Sequence, residues 1–174
     1  MKRTVLALGL LGLLLVAGGC AYRTKGSLPP HIKTVAVPVF TNHTFTGDYT
    51  RKIEVQVTEA VRNAFIQAGE LKLAGREDAD LILEGAVMKL DREVLRSDRY
   101  GDPAEIRLVI RARISIYDVK EAKYLLKDQL VTNSEKNLES GVFNLRRGED
   151  ENLGTKRALE DIGRVIARRV TEKW

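Results

Sequence analysis

The feature that most constrains the fold is the segment from Glu105 to Asp118, in which apolar and polar residues alternate. Even positions from 106 to 116 are apolar, whereas odd positions are polar except at Val109. A period of two predicts a strand with one face on an apolar core and the other in water or against a polar partner. At about 3.3 Å per residue the strand is roughly 45 Å long, so we expect a mainly antiparallel sheet covered by helices on one face.

Three arginines lie on the polar side of this strand, namely Arg107, Arg111 and Arg113. They span roughly 20 Å, and a planar guanidinium matches a phosphate group bidentately. One prediction is therefore that they contact phosphates. The alternative is that they pair with acidic residues of the neighbouring strand, which are Glu84, Asp91 and Glu93.

Residues 1–19 have the composition of a signal peptide. Lys2 and Arg3 precede an apolar run from Val5 to Val16, which is shorter than the about 20 residues that span a bilayer. Small residues then lead to Cys20, the only cysteine of the chain. This arrangement resembles the lipobox of bacterial lipoproteins, so we predict cleavage after residue 19 and a covalent lipid on Cys20. The alternative is a secreted protein in which Cys20 is a free thiol.

Lipidation would attach the protein stably to a membrane, since two or more acyl chains suffice for lasting anchorage. Ala21, rather than an aspartate, follows the cysteine, and by analogy with the enterobacterial sorting rule this favours the outer membrane. Residues 20–31 are predicted to be the lipidated cysteine and a linker rich in Gly, Ser and Pro. Without Lys2 and Arg3 the formal net charge falls from +5 to +3, which does not indicate nucleic-acid binding.

Residues 32–174 have the length and composition of a single domain. Helical periodicity predicts one helix from Thr50 to Ala68 and another from Asn152 to Trp174, with Trp174 packed back on the apolar stripe. Besides the central strand, strands are predicted at 32–40, 81–95 and 124–132. A register change is expected near Met88 to Leu90. The order β-α-β-β-β-α predicts an α+β fold, with two helices on one face of a four-stranded mixed sheet.

The connections of this order also predict how the strands run. The first two strands flank a helix and are expected to be parallel, whereas short turns make the rest an antiparallel meander. Between the last strand and the second helix, Ser134 to Asp150 is polar and is predicted to be an exposed loop. Three apolar residues interrupt it, namely Val142, Phe143 and Leu145. They either form a docking patch for a partner or tuck under the edge of the sheet.

The sequence contains no recognisable catalytic or metal-binding motif, such as H-E-x-x-H, G-x-S-x-G or a cysteine pair. His31 and His43 are expected to be surface or capping residues rather than ligands. Asp91, Glu93 and Asp98 are expected to be solvated, although a pair of carboxylates can act as general acid and base. We therefore predict neither enzymatic activity nor a metal or cofactor apart from the lipid on Cys20. An enzymatic alternative would require activity that is lost when a histidine or an acidic pair is changed.

Several segments together resemble the LptE family of outer-membrane lipoproteins that act in lipopolysaccharide assembly. They are the lipobox cysteine, Ser27–Asn42, Asp78–Gly85, Glu105–Arg113 and Ile166–Trp174. The resemblance implies a helix-covered sheet that plugs the lumen of the β-barrel LptD, helps to assemble it and assists lipopolysaccharide transport to the outer leaflet. It implies lipidation of Cys20 and no catalytic residue. The contact of Arg107, Arg111 and Arg113 with lipid A phosphates or with the barrel is our own hypothesis.

A second resemblance defines the alternative function. Thr34–Phe40 followed by a helix and Ala79–Gly85 are also similar to the accessory lipoproteins of the curli secretion pore and of cell-wall synthases. This alternative predicts a ring oligomer or a penicillin-binding protein as the partner, in place of a large barrel.

Overall fold

The structure, a computed structural model, describes residues 28–44, 52–135 and 137–171. The predictions for the signal peptide, the lipidation of Cys20 and the packing of Trp174 fall outside these residues. In chain order the elements are β1 (Thr34–Ala36), β2 (Thr41–Asn42), α1 (Ile53–Ala68), β3 (Lys72–Leu73), β4 (Leu81–Ser97), β5 (Pro103–Asp118), β6 (Lys123–Thr132), β7 (Val142–Asn144) and α2 (Glu151–Thr171). A short 3-10 helix, Leu145–Arg147, lies between β7 and α2.

The predicted α+β class, with two helices and a mixed sheet, is confirmed, but the predicted number of four strands is wrong. Among the described residues, seven strands form one sheet in the order β3-β1-β4-β5-β6, with β2 beside β4 and β7 beside β5. The predicted first strand is divided because Pro38, which has no backbone N–H, lies between β1 and β2. Both pieces pair in parallel with β4, as predicted, while β4, β5 and β6 form the antiparallel meander.

The core lies between one face of this sheet and the two helices. The even-numbered apolar residues of β5 pack with Val57, Val61 and Phe65 of α1 and with the stripe of α2 that ends at Val170. The helices approach closely at Gly163, where an added Cβ would lie 2.5 Å from the backbone oxygen of Ala60. A side chain at this position would therefore force the helices apart.

A bulge in β4 keeps its apolar residues on the core face. The register with β5 shifts between Val87 and Lys89, which confirms the irregularity predicted near Met88. Val87 before the shift and Leu90 after it both face the core side of β5, opposite Ala112 and Ile110. Without the extra residue, the second half of β4 would present its apolar residues to the opposite face.

One edge of β5 is shared by β6 and β7, with a gap between them. β6 pairs with β5 from Arg111 to Asp118, and β7 pairs with Glu105 to Arg107. The residues left between the two are bonded by Asn133 and Gly141: the Ile110 N–H donates to Asn133 Oδ1 at 2.7 Å, and the Leu108 N–H donates to the Gly141 carbonyl at 3.0 Å.

The Asn133 side chain is fully buried, and its amide bonds backbone groups of both Ile110 and Leu108 in this gap. Its Nδ2 donates to the Leu108 carbonyl at 3.0 Å and to Ser140 Oγ at 2.8 Å.

The prediction of a loop over the whole of Ser134 to Asp150 is wrong at Val142–Asn144, where β7 extends the sheet. A strand of three residues is too short to show a clear period in the sequence.

The start of β1 is held by the carboxylate of Asp80. Its Oδ2 accepts hydrogen bonds from the N–H of Lys33 at 2.8 Å and from the N–H and hydroxyl of Thr34, each at 2.9 Å. The Lys33 N–H is the main cause that lowers the pKa of Asp80, and the Thr34 groups act in the same direction against the opposing effect of burial. The ionised form therefore stabilises the fold.

We expect Asp80→Asn to lower the free energy of unfolding by about 1–2 kcal/mol at pH 7, since hydrogen bonds to a charged acceptor are weakened. A lowered pKa in the folded protein means that this contribution is present above the pKa of the unfolded chain, about 3.9, and is lost as the pH falls through the folded value. Urea unfolding at pH 7 and pH 3 tests this, with exposed Asp78→Asn as the control. An equal difference between variant and parent at both pH values would contradict it.

Candidate functional site on the open sheet face

The face of the sheet opposite the helices, which we call the open face, carries the charges of β4 and β5. The odd-numbered side chains of β5 lie on it, and their neighbours on β4 include both acidic and basic residues. Glu93 is opposite Arg107, and Lys89 is opposite Arg111. The alternation predicted for Glu105 to Asp118 thus places the three candidate arginines on one face, as expected from a period of two.

Two of these arginines have acidic partners on β4. Arg107 Nη1 lies 3.7 Å from Glu93, and its Nη2 donates to the Leu138 carbonyl. Arg111 pairs with Asp91 and lies 3.8 Å from Glu93. This is the cross-strand pairing that the sequence offered as the alternative. Glu84 does not take part and instead lies 3.1 Å from Arg76.

Arg113 differs from the other two arginines. It is exposed, and its neighbours across the sheet are Ala86 on β4 and Leu130 on β6, neither of which is charged. Within the described residues its guanidinium has no ion pair. Leu130 is itself 53% exposed. The open face therefore contains a charge-balanced half around Arg107 and Arg111 and a second half where one accessible cation lies beside apolar surface.

Aromatic residues continue this second half towards the β5–β6 turn. The rings of Tyr117 and Tyr124 are in edge-to-face contact with centroids 5.1 Å apart, and Lys127 lies 5.5 Å from the Tyr124 ring. Tyr124 is 48% exposed. The sequence does not single out these residues, because β6 has poor periodicity and its register with β5 shifts twice.

The three candidate docking residues of the segment after β6 have different environments. Phe143 is 1% exposed, lies opposite Ile106 and packs on Gly154, where an added Cβ would be 2.4 Å from the ring. Phe143 is therefore a core residue and is too buried to contact a partner. Its position agrees with the alternative prediction, in which these residues pack under the edge of the sheet. Val142 is half-buried opposite Arg107. Leu145 is 45% exposed, and its docking role stays a prediction.

The two helices leave a groove of about 570 Å³ on their outer side. Its lining combines polar residues, including Gln56, Asn63 and Gln67, with apolar ones such as Leu159. The polar residues are spaced as ordinary exposed helix positions, so the groove is not visible in the sequence. Among the described residues, neither helix is long and apolar enough to cross a bilayer.

The fold and the open face define a class, namely a small α+β domain in which two helices cover one side of a long mixed sheet and leave the other side polar. Comparison with protein families makes the assignment more specific. Residues 32–173 match the LptE family, described as lipopolysaccharide-assembly. The chain therefore belongs to this family, which is a non-enzymatic lipoprotein family. The resemblance inferred from the sequence is confirmed.

Solved structures of low sequence identity share the fold. A PelC dodecamer from Paraburkholderia phytofirmans has 13% identity and a TM-score of 0.50, covering 87% of this chain and 96% of that one. A hypothetical protein from Chlamydia trachomatis has 8% identity and a TM-score of 0.51, covering 80% and 98%. A protein from Xanthomonas campestris has 11% identity and a TM-score of 0.50, covering 85% and 91%. A comparison with curated proteins gives no match.

Proposed function

We propose that this protein is an outer-membrane lipoprotein, anchored through Cys20, that plugs and helps to assemble the β-barrel LptD and assists lipopolysaccharide transport to the outer leaflet. The observation that carries the proposal is the family match over residues 32–173. The barrel lumen and the lipopolysaccharide are the partners, and no catalytic step is assigned to the chain.

The open face supports this proposal because it suits a polar enclosure. The interior of a large transmembrane barrel is polar. Charges enter such a space at low cost when they are already paired, as Arg107 and Arg111 are with Glu93 and Asp91. The helix-covered side, by contrast, has its apolar groups in the core.

Among the three arginines in a row along β5, Arg107, Arg111 and Arg113, the last is the best candidate to bind a phosphate of lipid A. A phosphate that binds Arg107 or Arg111 competes with a carboxylate already in place, whereas Arg113 is exposed beside uncharged neighbours. We expect Arg113→Gln to weaken lipopolysaccharide binding about tenfold, since one charge-assisted hydrogen bond contributes about 1.5 kcal/mol or more. Binding in vitro measures this.

The matched control is Lys156→Gln, which removes one exposed cation from α2 on the other side of the domain. It should leave the affinity unchanged. We expect Arg107→Gln and Arg111→Gln to have smaller effects than Arg113→Gln. Unchanged binding after all three arginines are replaced with glutamine would exclude the contact with lipid A.

The role as a barrel plug is tested separately by pull-down of a tagged chain in mild detergent, followed by mass identification. A large outer-membrane barrel in the eluate supports the proposal. Its recovery should be lost in cells that carry Cys20→Ser, or reduced by Arg113→Glu but not by Lys156→Glu. The alternative, an accessory lipoprotein of a secretion pore or cell-wall synthase, predicts a ring oligomer or a penicillin-binding protein instead. Either of these without a barrel would contradict the plug.

A further inference from the structure

One cluster of potential ligands lies at the end of the sheet where the segment before β1 meets the β5–β6 turn. It consists of His31, Asp118 and Glu121, whose ligand atoms all lie within 4.8 Å of one another. His31 Nε2 is 2.9 Å from Asp118 Oδ2, which joins the segment before β1 to the end of β5. Glu121 lies in the turn between β5 and β6, and its N–H donates to Asp118 Oδ1 at 3.0 Å.

The charges of this cluster favour a cation. The Asp118 side chain is 1% exposed, and a buried carboxylate is costly unless a positive charge or strong hydrogen bonds compensate it. Its side-chain partner is His31, which carries a charge only when it is protonated. Glu121 adds a second carboxylate to the same place. Asp80 also interacts electrostatically with His31 but is held by the start of β1.

The donor set is that of a transition-metal site. One imidazole nitrogen and two carboxylate oxygens are ligands that Zn²⁺ accepts, with bonds of about 2.0–2.2 Å and a fourth position for water. Donors around such an ion are separated by roughly 3.3 Å. His31 Nε2 and Asp118 Oδ2, 2.9 Å apart, therefore need to separate slightly, whereas the Glu121 carboxylate needs to approach them. Glu121 can make this movement, because it is exposed on a turn.

We propose that His31, Asp118 and Glu121 bind one divalent transition-metal ion, with Zn²⁺ as the probe. The ion would link the segment before β1, which contains His31, to the β5–β6 turn and so fix the position of that segment. The proposal is independent of the open face and of the proposed function.

Lys123 makes the proposal sharply testable. Its ammonium pairs with Glu121 and so competes with a metal ion for that carboxylate. A metal ion must displace it. Removal of this competing charge in Lys123→Gln should therefore strengthen metal binding, a result that a purely structural role of the cluster would not produce.

The experiment is calorimetric titration of Zn²⁺ into the untagged chain from residue 20 onward, with Cys20→Ser to remove the only thiol. We expect one ion per chain and a rise in melting temperature that EDTA reverses. His31→Gln and Glu121→Gln should each weaken binding at least about tenfold, and Lys123→Gln should tighten it severalfold. His43→Gln, which changes the other histidine at an exposed position, is the control and should have no effect.

Three outcomes would overturn the proposal. They are the absence of saturable binding in the parent chain, binding that Glu121→Gln leaves unchanged, and binding that His43→Gln weakens as much as His31→Gln. Glu121 is exposed, so Glu121→Gln is expected to fold even if His31→Gln does not. A melting temperature measured without metal separates a loss of binding from a loss of folding in each variant.

Discussion

Asn133→Ala is expected to lower the free energy of unfolding by about 2–5 kcal/mol. Alanine cannot replace the bonds to the Ile110 N–H and the Leu108 carbonyl, both of which lie in the buried part of β5. Each buried polar group left without a partner costs about 1–3 kcal/mol. Urea unfolding followed by circular dichroism measures the change.

Two further variants separate this mechanism from a general loss of an amide. Asn63→Ala removes an exposed asparagine from α1 and should change the stability by less than about 0.5 kcal/mol. Asn133→Asp keeps the acceptor for Ile110 but replaces the donor to Leu108 and Ser140 with an acceptor, so it should also destabilise. If Asn133→Ala and Asn63→Ala had equal free energies of unfolding, the backbone groups of Ile110 and Leu108 would not depend on Asn133 for their hydrogen bonds.

Phe143→Ala is expected to destabilise the protein by about 3–5 kcal/mol, because it leaves a cavity between β7 and α2 where the ring now packs on Gly154. Thermal or urea unfolding tests this. Leu145→Ala, two residues away and 45% exposed, is the matched control and should cost less than about 0.5 kcal/mol.

The same pair of variants tests the docking patch. If Leu145 contacts the partner, Leu145→Ala should reduce recovery of the barrel without lowering the melting temperature. A fall in stability of Leu145→Ala as large as that of Phe143→Ala would mean that Leu145 is also part of the core and would contradict its exposure.

The strongest patterns in the sequence predicted the corresponding elements well. The alternation from Glu105 to Asp118 gave β5 within two residues, and the helical stripe ending at Ala68 gave the end of α1. The register change near Met88 was also visible, because the parity of apolar residues reverses there. These features are local, since each depends on the spacing of residues within one element and on the need to bury one side of it.

The short strands and the candidate sites were less predictable. β7 has three residues, and such a piece becomes a strand only because the longer β5 offers unpaired backbone groups. The arginine row was visible, but whether each guanidinium is paired depended on the register between β4 and β5. The cluster of His31 with Asp118 joins residues 87 positions apart, a distance at which a single sequence carries no signal.

The sequence by itself determined the α+β class, the two amphipathic helices, the two-faced central strand and the resemblance to the LptE family. Only the tertiary structure decided that Phe143 is in the core, that Asn133 bonds the gap beside β5, and that Arg113 stands apart from its two paired neighbours. The reason is physical: periodicity records which side of an element is buried, whereas partners across a sheet are set by register and chain reversal, which depend on residues far apart in the chain.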